Sequence, residues 1–160
     1  MQIRTGLGYD VHRLEPGMPF MLGGIKIPYS KGAIGHSDAD VLIHAICDAL
    51  LGAANLRDIG FHFPNIDPSY KGIDSALLLE KVTELLKQKG YSIGNIDATI
   101  VLEKPKLATF IPQMISRLTQ IMEIGEERVS VKATTTEKLG FEGREEGVTA
   151  HAVALIIKIE

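Results

Sequence analysis

Polar and apolar residues alternate from the amino terminus, and this pattern predicts a strand over residues 2–12. Odd-numbered positions from Ile3 to Val11 share one face, and even-numbered positions from Arg4 to His12 share the other. Two short apolar runs, residues 20–22 and 25–27, flank a pair of glycines and predict a hairpin.

Apolar residues at helical spacing predict three helices, over residues 38–54, 75–89 and 109–123. Ser37 or Asp38 is a suitable N-cap for the first helix, and Asp74 for the second. Residues 55–72 are rich in glycine and proline and predict a long loop, of a length usually tied to function or mobility.

Further strands are predicted over residues 95–103, 129–134 and 148–159, and the last is apolar enough to be central. Because strands and helices mix along one compact chain, we expect an α+β (mixed α/β) fold, with helices packed on one face of a single sheet. The chain has 160 residues and shows no repeat or linker, so residues 1–160 are predicted to form a single domain.

Composition excludes several classes of partner. The formal net charge is -3, which offers no general attraction to nucleic acid or to an anionic membrane, and neither partner is expected. The single cysteine, Cys47, rules out an intramolecular disulfide and is predicted to be a core residue. The opening residues lack a signal-peptide pattern, so we expect a cytoplasmic protein, or a plastid stromal one if this is a mature plant form.

The first chemical signal is Asp10-Val11-His12. On a strand, positions i and i+2 point to the same side, so an Asp oxygen and a His nitrogen can converge on one metal ion. Gly6 and Gly8 share that face and are predicted to leave space for a bulky ligand. The alternative is a solvated strand end with unrelated polar residues.

The second signal runs from His36 to His44 across a predicted loop-to-helix junction, where phosphate is readily bound. His44 lies one turn from both Asp40 and Asp48, and it resembles a metal ligand supported by carboxylates. A polar helix face with a hydrogen-bonded histidine is the alternative. With Asp10 and His12, His44 completes a set of three ligands, the usual pattern of catalytic zinc.

The third signal is the run Thr134-Thr135-Thr136-Glu137, which follows a predicted strand and enters a glycine-containing loop. Its hydroxyls and backbone N–H groups could bind phosphate, and Glu137 could hold Mg²⁺. The alternative is a strand end followed by a solvated charge cluster. His62 and His151 are predicted to be structural or exposed.

Taken together, these segments closely resemble the 2-C-methyl-D-erythritol 2,4-cyclodiphosphate synthase family of the non-mevalonate isoprenoid pathway, over essentially the whole chain. The resemblance rests on residues 8–13, 22–24, 36–40, 48–54, 58–60, 63–64 and 134–143. It implies that the 2-phosphate of 4-diphosphocytidyl-2-C-methyl-D-erythritol 2-phosphate attacks the β-phosphorus of the same molecule. CMP then leaves and a cyclic diphosphate forms.

The resemblance also implies roles for individual residues. Asp10, His12 and His44 would bind Zn²⁺ or another divalent transition metal, and Glu137 would hold Mg²⁺ or Mn²⁺. His36 and Thr135 would stabilise the transition state. Ser37 and Thr136 would lie near phosphate. The methylerythritol end would be held by Asp58, Ile59 and Gly60 and covered by Phe63, Pro64, Asn65, Ile66 and Asp67. The cytidine would contact Leu102, Pro105, Lys106, Leu107, Ala108 and Thr134.

Members of that family are homotrimers with active sites between subunits, and Phe141 and Arg144 map near the threefold axis. One departure stands out: Asn65-Ile66 occupies a place where the family often has Asp-Thr, which removes a carboxylate near the methylerythritol end. Two other functions are weighed against the cyclase, a non-catalytic trimer that binds isoprenoid diphosphates and a metal-dependent phosphohydrolase. Retention of the metal ligands argues against the first, and the cytidine segment against the second.

Overall fold

The computed structural model describes residues 2–159, and within them one mixed sheet has five strands in the order β4-β1-β7-β5-β6. The strands are β1 (Ile3–Pro16), β4 (Lys31–Ile34), β5 (Tyr91–Val101), β6 (Val129–Thr134) and β7 (Gly147–Lys158). Neighbours pair antiparallel except β5 and β6, which are parallel. The central position predicted for the last strand is confirmed.

The predicted hairpin is also confirmed, as β2 (Met21–Leu22) paired with β3 (Ile25–Lys26). The helices are α1 (Val41–Ala53), α2 (Ile59–His62), α3 (Ser75–Gln88), α4 (Ile111–Met122) and α5 (Gly140–Gly143). Single 3₁₀ turns cover Pro68–Tyr70 and Glu126–Arg128. The region predicted as a long loop therefore contains α2 and one of these turns.

The predicted N-cap of the first helix is wrong. Asp40 caps α1, since its carboxylate accepts the backbone N–H of Ile43 at 3.1 Å. The same carboxylate accepts the N–H groups of Gly23 at 2.9 Å and Gly24 at 2.7 Å, in the turn of the β2–β3 hairpin. A distant turn therefore decides where this helix begins. Asp74 caps α3 as predicted.

Helices cover one face of the sheet, as predicted, but the two faces of β1 are used differently from the sequence expectation. The glycine-containing face packs on α1: a Cβ atom on Gly8 would lie 1.8 Å from the Ala45 carbonyl oxygen, and one on Gly6 would lie 2.0 Å from that of Ala49. The glycines make room for a helix and not for a bulky ligand. The apolar face is exposed, with Leu7 at 70%.

The buried apolar side chains form a cluster in which α1 packs against β1 and β7 of the sheet and also against α3. Cys47 is fully buried, as predicted. His62 donates to the Leu56 carbonyl oxygen at 2.7 Å, and His151 is exposed, so both histidines agree with their predicted roles. The accessible positions of α1 include His44, Asp48 and Gly52, one turn apart, which directs the polar side chains of this helix to a single side.

Candidate active site

Asp10 and His12 of β1 meet His44 of α1 at the junction of sheet and helix. The Oδ2 atom of Asp10, Nε2 of His12 and Nδ1 of His44 lie 3.0 Å from one another. Ligand atoms about 2.0–2.2 Å from a tetrahedral zinc ion are a little over 3 Å apart, so the three positions suit such an ion. Two imidazole nitrogens and one carboxylate oxygen also suit a transition metal better than magnesium.

The same contacts shift the acidities of these groups. Burial by itself would raise the pKa of Asp10, but hydrogen bonds from His12 and His44 hold the pKa of that carboxyl well below its usual range. Burial disfavours the charged form of His44, yet its hydrogen bond to Asp10 leaves the pKa of that imidazole raised. The carboxylate therefore stays ionised at neutral pH, as a metal ligand must.

Hydroxyl groups, and not the predicted carboxylates, contact the other nitrogen of His44. Its Nε2 atom lies 2.9 Å from the Ser75 hydroxyl and 3.0 Å from the Ser37 hydroxyl. Asp40 is directed toward the β2–β3 hairpin, and Asp48 accepts the N–H of Ile59 at 2.7 Å. The expectation that Asp40 and Asp48 support His44 by direct contact is therefore wrong.

A cavity of about 170 Å³ opens beside the three ligands. Sequence-predicted residues that line it are His36, Ser37, Ile59, Gly60, Phe63 and Asn65. Asp48, named from the sequence only as a support for His44, also lines it, and Tyr70, Ile73 and Leu78 line it and were missed. The spacing of Asp48, one helical turn after His44, places both side chains on the same side of α1 and so explains its position in the cavity.

The remaining residues predicted near the methylerythritol end lie around this cavity without lining it. Asp58 caps α2 by accepting the N–H of Phe61 at 3.0 Å. Ile66 is 91% exposed. The carbonyl oxygen of Asp67 accepts a hydrogen bond from His36 Nε2 at 3.3 Å, and its carboxylate accepts the N–H of Ser69, which lowers the pKa of Asp67. The loop is thus tied to the cavity through His36.

The segments predicted to hold cytidine meet in a second cavity, of about 230 Å³. It is lined by Leu102, Pro105, Lys106, Leu107, Ala108, Thr134 and Thr135, together with Ile111 and Ala133, which were missed. The N–H of Leu102 donates to the Thr134 carbonyl oxygen at 3.0 Å and joins the two segments. Among residues 2–159, the linings of this cavity and of the metal-ligand cavity have no residue in common.

Thr135 and Glu137 stand next to each other at the edge of the second cavity. The Thr135 hydroxyl donates to the Glu137 carboxylate at 3.2 Å, and the Thr136 hydroxyl donates to the Leu139 carbonyl oxygen. Glu137 adopts a positive φ of 52°, uncommon for a residue other than glycine, and its side chain is exposed. Within one chain, these residues face solvent and not the metal ligands.

Phe141 and Arg144 line a third cavity, of about 640 Å³, against the end of β1. Arg144 is paired with Glu146 at 3.0 Å. Glu145, between them, accepts the Tyr29 hydroxyl at 2.6 Å and lies 3.3 Å from Lys104, which ties the cytidine segment to this cavity. Burial and the Glu145 hydrogen bond raise the pKa of Tyr29 to about 12.

Comparison with known proteins gives a consistent result. The model of the YgbB family matches residues 3–157. The 2-C-methyl-D-erythritol 2,4-cyclodiphosphate synthase of Porphyromonas gingivalis strain W83 is 62% identical over 154 residues, covering 96% of this chain and 95% of its own. The synthase of the same name from Bacteroides thetaiotaomicron is 59% identical over 158 residues, covering 99% of both chains.

Solved structures show the same likeness. The bifunctional IspDF of Campylobacter jejuni superimposes with a TM-score of 0.96 at 39% identity, over 99% of this chain and 43% of that one. The CDP complex of Plasmodium falciparum IspF gives a TM-score of 0.87 at 34% identity, over 99% of this chain and 97% of that one. Among residues 2–159, no helix is long and apolar enough to span a membrane.

Proposed function

The chain belongs to the YgbB family, and on that premise we propose how its residues carry out the family's reaction. The protein is an enzyme that converts 4-diphosphocytidyl-2-C-methyl-D-erythritol 2-phosphate to 2-C-methyl-D-erythritol 2,4-cyclodiphosphate and CMP. An oxygen of the 2-phosphate bonds to the β-phosphorus, and the bond from that phosphorus to the oxygen of the departing CMP breaks. In this proposal the enzyme is a phosphorus–oxygen lyase.

The observation that carries the proposal is the close approach of Asp10, His12 and His44 beside a cavity lined by His36 and Ser37. The substrate's own phosphate is the nucleophile, so the protein needs to supply position and charge stabilisation but no serine or cysteine nucleophile. Zn²⁺ held by the three ligands and Mg²⁺ held by Glu137 would supply charge neutralisation and polarisation of the diphosphate.

His36 and Ser37 contribute hydrogen-bond donors on the side of the cavity next to the ligands. The His36 Nε2–H that now donates to the Asp67 carbonyl oxygen is available to a phosphate oxygen once the loop shifts. Thr135 supplies a hydroxyl donor from the cytidine-side segment, with Thr136 beside it. In this assignment His36 and Thr135 stabilise the charge that develops on the transferred phosphoryl group.

The methylerythritol end lies against Ile59 and Gly60, and Asp58 holds the start of α2 in place. Phe63, Pro64, Asn65, Ile66 and Asp67 form the segment that covers it. Asn65 lines the cavity with an amide, which donates and accepts hydrogen bonds but carries no charge. Asn65 therefore binds the substrate through hydrogen bonds and contributes no charge.

The cytidine binds in the second cavity, through Leu102, Pro105, Lys106, Leu107, Ala108 and Thr134. Two solved relatives with CDP bound, one of them 36% identical to this chain, support a cytidine nucleotide as ligand. Since the two cavities of one chain are separate, we place the working site between subunits of a homotrimer. The exposed apolar face of β1, with Ile3 at 48% and Leu7 at 70%, supports assembly through this side of the sheet.

Phe141 and Arg144 are assigned in the same proposal to the threefold axis. Neither a non-catalytic binding trimer nor a phosphohydrolase is favoured by the comparisons, in which the relatives are named as synthases. A cytoplasmic location stays a prediction.

Mixed trimers test the placement of the site. In the proposed site, one subunit supplies the metal ligands (the metal half) and its neighbour supplies Thr135 and Glu137 (the phosphate half). Asp10→Ala disables the metal half and Thr135→Ala disables the phosphate half. A homotrimer of either variant should therefore be nearly inactive. A mixed trimer has a junction where the intact metal half of one chain meets the intact phosphate half of the other. We therefore expect the two variants, unfolded and refolded together, to regain part of the wild-type rate.

Each variant refolded alone is the control, and native mass spectrometry establishes that mixed trimers have formed. If mixed trimers are present and no activity returns, the working site lies within one chain and the intersubunit placement is wrong.

A further inference from the structure

Ser75 connects the metal-ligand cavity to a second layer of hydrogen bonds. It is the first residue of α3 and is fully buried, and its hydroxyl oxygen lies 2.9 Å from Nε2 of His44. Its backbone N–H donates to Oδ2 of Asp38 at 3.1 Å, and its hydroxyl donates to Oδ1 of the same carboxylate. The start of α3 is thereby bonded to the segment that leads into α1.

The directions of these hydrogen bonds determine where the proton of His44 lies. A carboxylate only accepts hydrogen bonds, so the single hydroxyl proton of Ser75 is used by Asp38. The Ser75 oxygen then offers lone pairs to His44 and accepts a hydrogen bond from Nε2–H. A neutral imidazole protonated at Nε2 has its lone pair on Nδ1, the atom that faces Asp10 and His12.

We propose that Ser75, held by Asp38, is a positioning residue that fixes the tautomer and orientation of His44, so that Nδ1 is presented to a divalent transition metal. The inference rests on the proposed function, because it assumes that the three ligands hold a metal. Partners of this kind orient metal-binding histidines in many proteins, and their loss typically weakens metal affinity about 10–100-fold.

Ser37 is the competing partner, since its hydroxyl lies 3.0 Å from the same nitrogen. Ser37 lines the open cavity, and its oxygen also accepts the N–H of Ala39 at 3.3 Å. Its hydroxyl also lies 3.4 Å from the Ser75 hydroxyl, a long contact from which its proton can turn toward a phosphate. Ser75 is enclosed and its proton is committed to Asp38, so it is the partner that stays in place throughout the reaction.

The test measures zinc affinity by titration in chelator-buffered zinc for the wild type, Ser75→Ala and Ser37→Ala. Thr83→Val is the matched control, because Thr83 is a buried residue of the same helix whose hydroxyl donates to the Leu79 carbonyl oxygen at 2.9 Å. We expect Ser75→Ala to bind zinc about 10–100-fold more weakly, and Thr83→Val to bind as the wild type does even if its stability falls.

An NMR measurement needs no substitution. In the zinc-loaded wild type labelled with ¹⁵N-histidine, we expect His44 to carry its proton on Nε2 and to bind the metal through Nδ1. Metal bound through Nε2 overturns the inference, as does unchanged zinc affinity in Ser75→Ala, or a loss confined to Ser37→Ala. A wild type that binds no zinc overturns the proposed metal site itself, and the inference with it.

Discussion

Replacing Gly8 by alanine should test the contact on which the ligand geometry depends. Gly8 lies two residues before Asp10 on β1 and directly under α1, which carries His44. The added Cβ atom would lie 1.8 Å from the Ala45 carbonyl oxygen and 2.7 Å from the Ala49 nitrogen. Both atoms belong to the helix backbone, so no side chain can turn aside, and β1 and α1 must separate.

The size of the separation can be worked out from this contact. Ordinary van der Waals contact begins near 3.4 Å, so relief along the Ala45 contact requires a movement of about 1.6 Å. Overpacking of this kind costs about 1–3 kcal/mol, and contact with backbone favours the upper end. Metal sites hold their ligand distances within about 0.2 Å, so zinc affinity should fall at least about 100-fold.

Gly52→Ala is the matched control, because Gly52 lies in α1 and a Cβ atom there would meet nothing within 4 Å. That change should raise the free energy of unfolding by about 0.5–1 kcal/mol, since alanine is the better helix former, and should leave zinc affinity unchanged. Urea unfolding of zinc-free protein at a fixed concentration gives the stabilities, and a zinc titration gives the affinities. A Gly8→Ala protein equal to the wild type in both would refute the reasoning.

Three further predictions use independent measurements. His44→Ala should keep its circular dichroism spectrum but gain no stability from zinc, whereas the wild type should gain about 4 kcal/mol at a thousandfold excess over its Kd; equal gains would refute the metal site. Burial raises the pKa of Asp48 despite the hydrogen bond from Ile59, so ionising this carboxyl costs stability as pH rises through the folded-state pKa. Asp48→Asn should therefore be more stable than the wild type at pH 7, with the gain disappearing below about pH 4, where the unfolded carboxyl is also protonated; a gain that persists at low pH would have another origin. CMP and CDP should raise the melting temperature more than AMP and ADP, because the backbone groups of residues 102–108 are proposed to pair with the hydrogen-bonding edge of cytosine, which a purine does not share; equal protection would contradict the cytidine assignment.

Regular elements were predictable where one period dominates the sequence. The alternation of β1, the apolar run of β7 and the stripe of α3 all correspond to observed elements. The start of α1 was not predictable from its neighbourhood, because Asp40 is held by the backbone of a hairpin some sixteen residues away. Such a partner is set by tertiary packing and leaves no local pattern.

Alternation also reveals that β1 has two faces without revealing which one a helix covers. Apolar residues from Ile3 to Val11 suggest the core side by composition, yet α1 packs on the side of Gly6 and Gly8. A helix can approach a strand this closely only where the strand residues lack side chains. In the sequence, the same two glycines were interpreted as leaving space for a ligand. The apolar face is left for the proposed subunit contact.

The candidate metal ligands were identifiable as residue types, but their convergence depends on packing of α1 against β1. The number of residues between Asp10 and His44 does not reveal how far apart they lie in the fold. Only the resemblance to the family indicated that they meet. Ser75 had no sequence signal at all. A serine after an aspartate cap is common at the start of a helix, and only the fold places its hydroxyl against His44.

Phosphorus NMR of the reaction itself tests the central claim most directly. The protein is incubated with 4-diphosphocytidyl-2-C-methyl-D-erythritol 2-phosphate, Zn²⁺ and Mg²⁺, and the products are followed with time. We expect one CMP for each substrate consumed, together with the two coupled phosphorus signals of a cyclic diphosphate and no inorganic phosphate. Release of CMP with a linear bisphosphate, as hydrolysis would give, or no release of CMP, would contradict it.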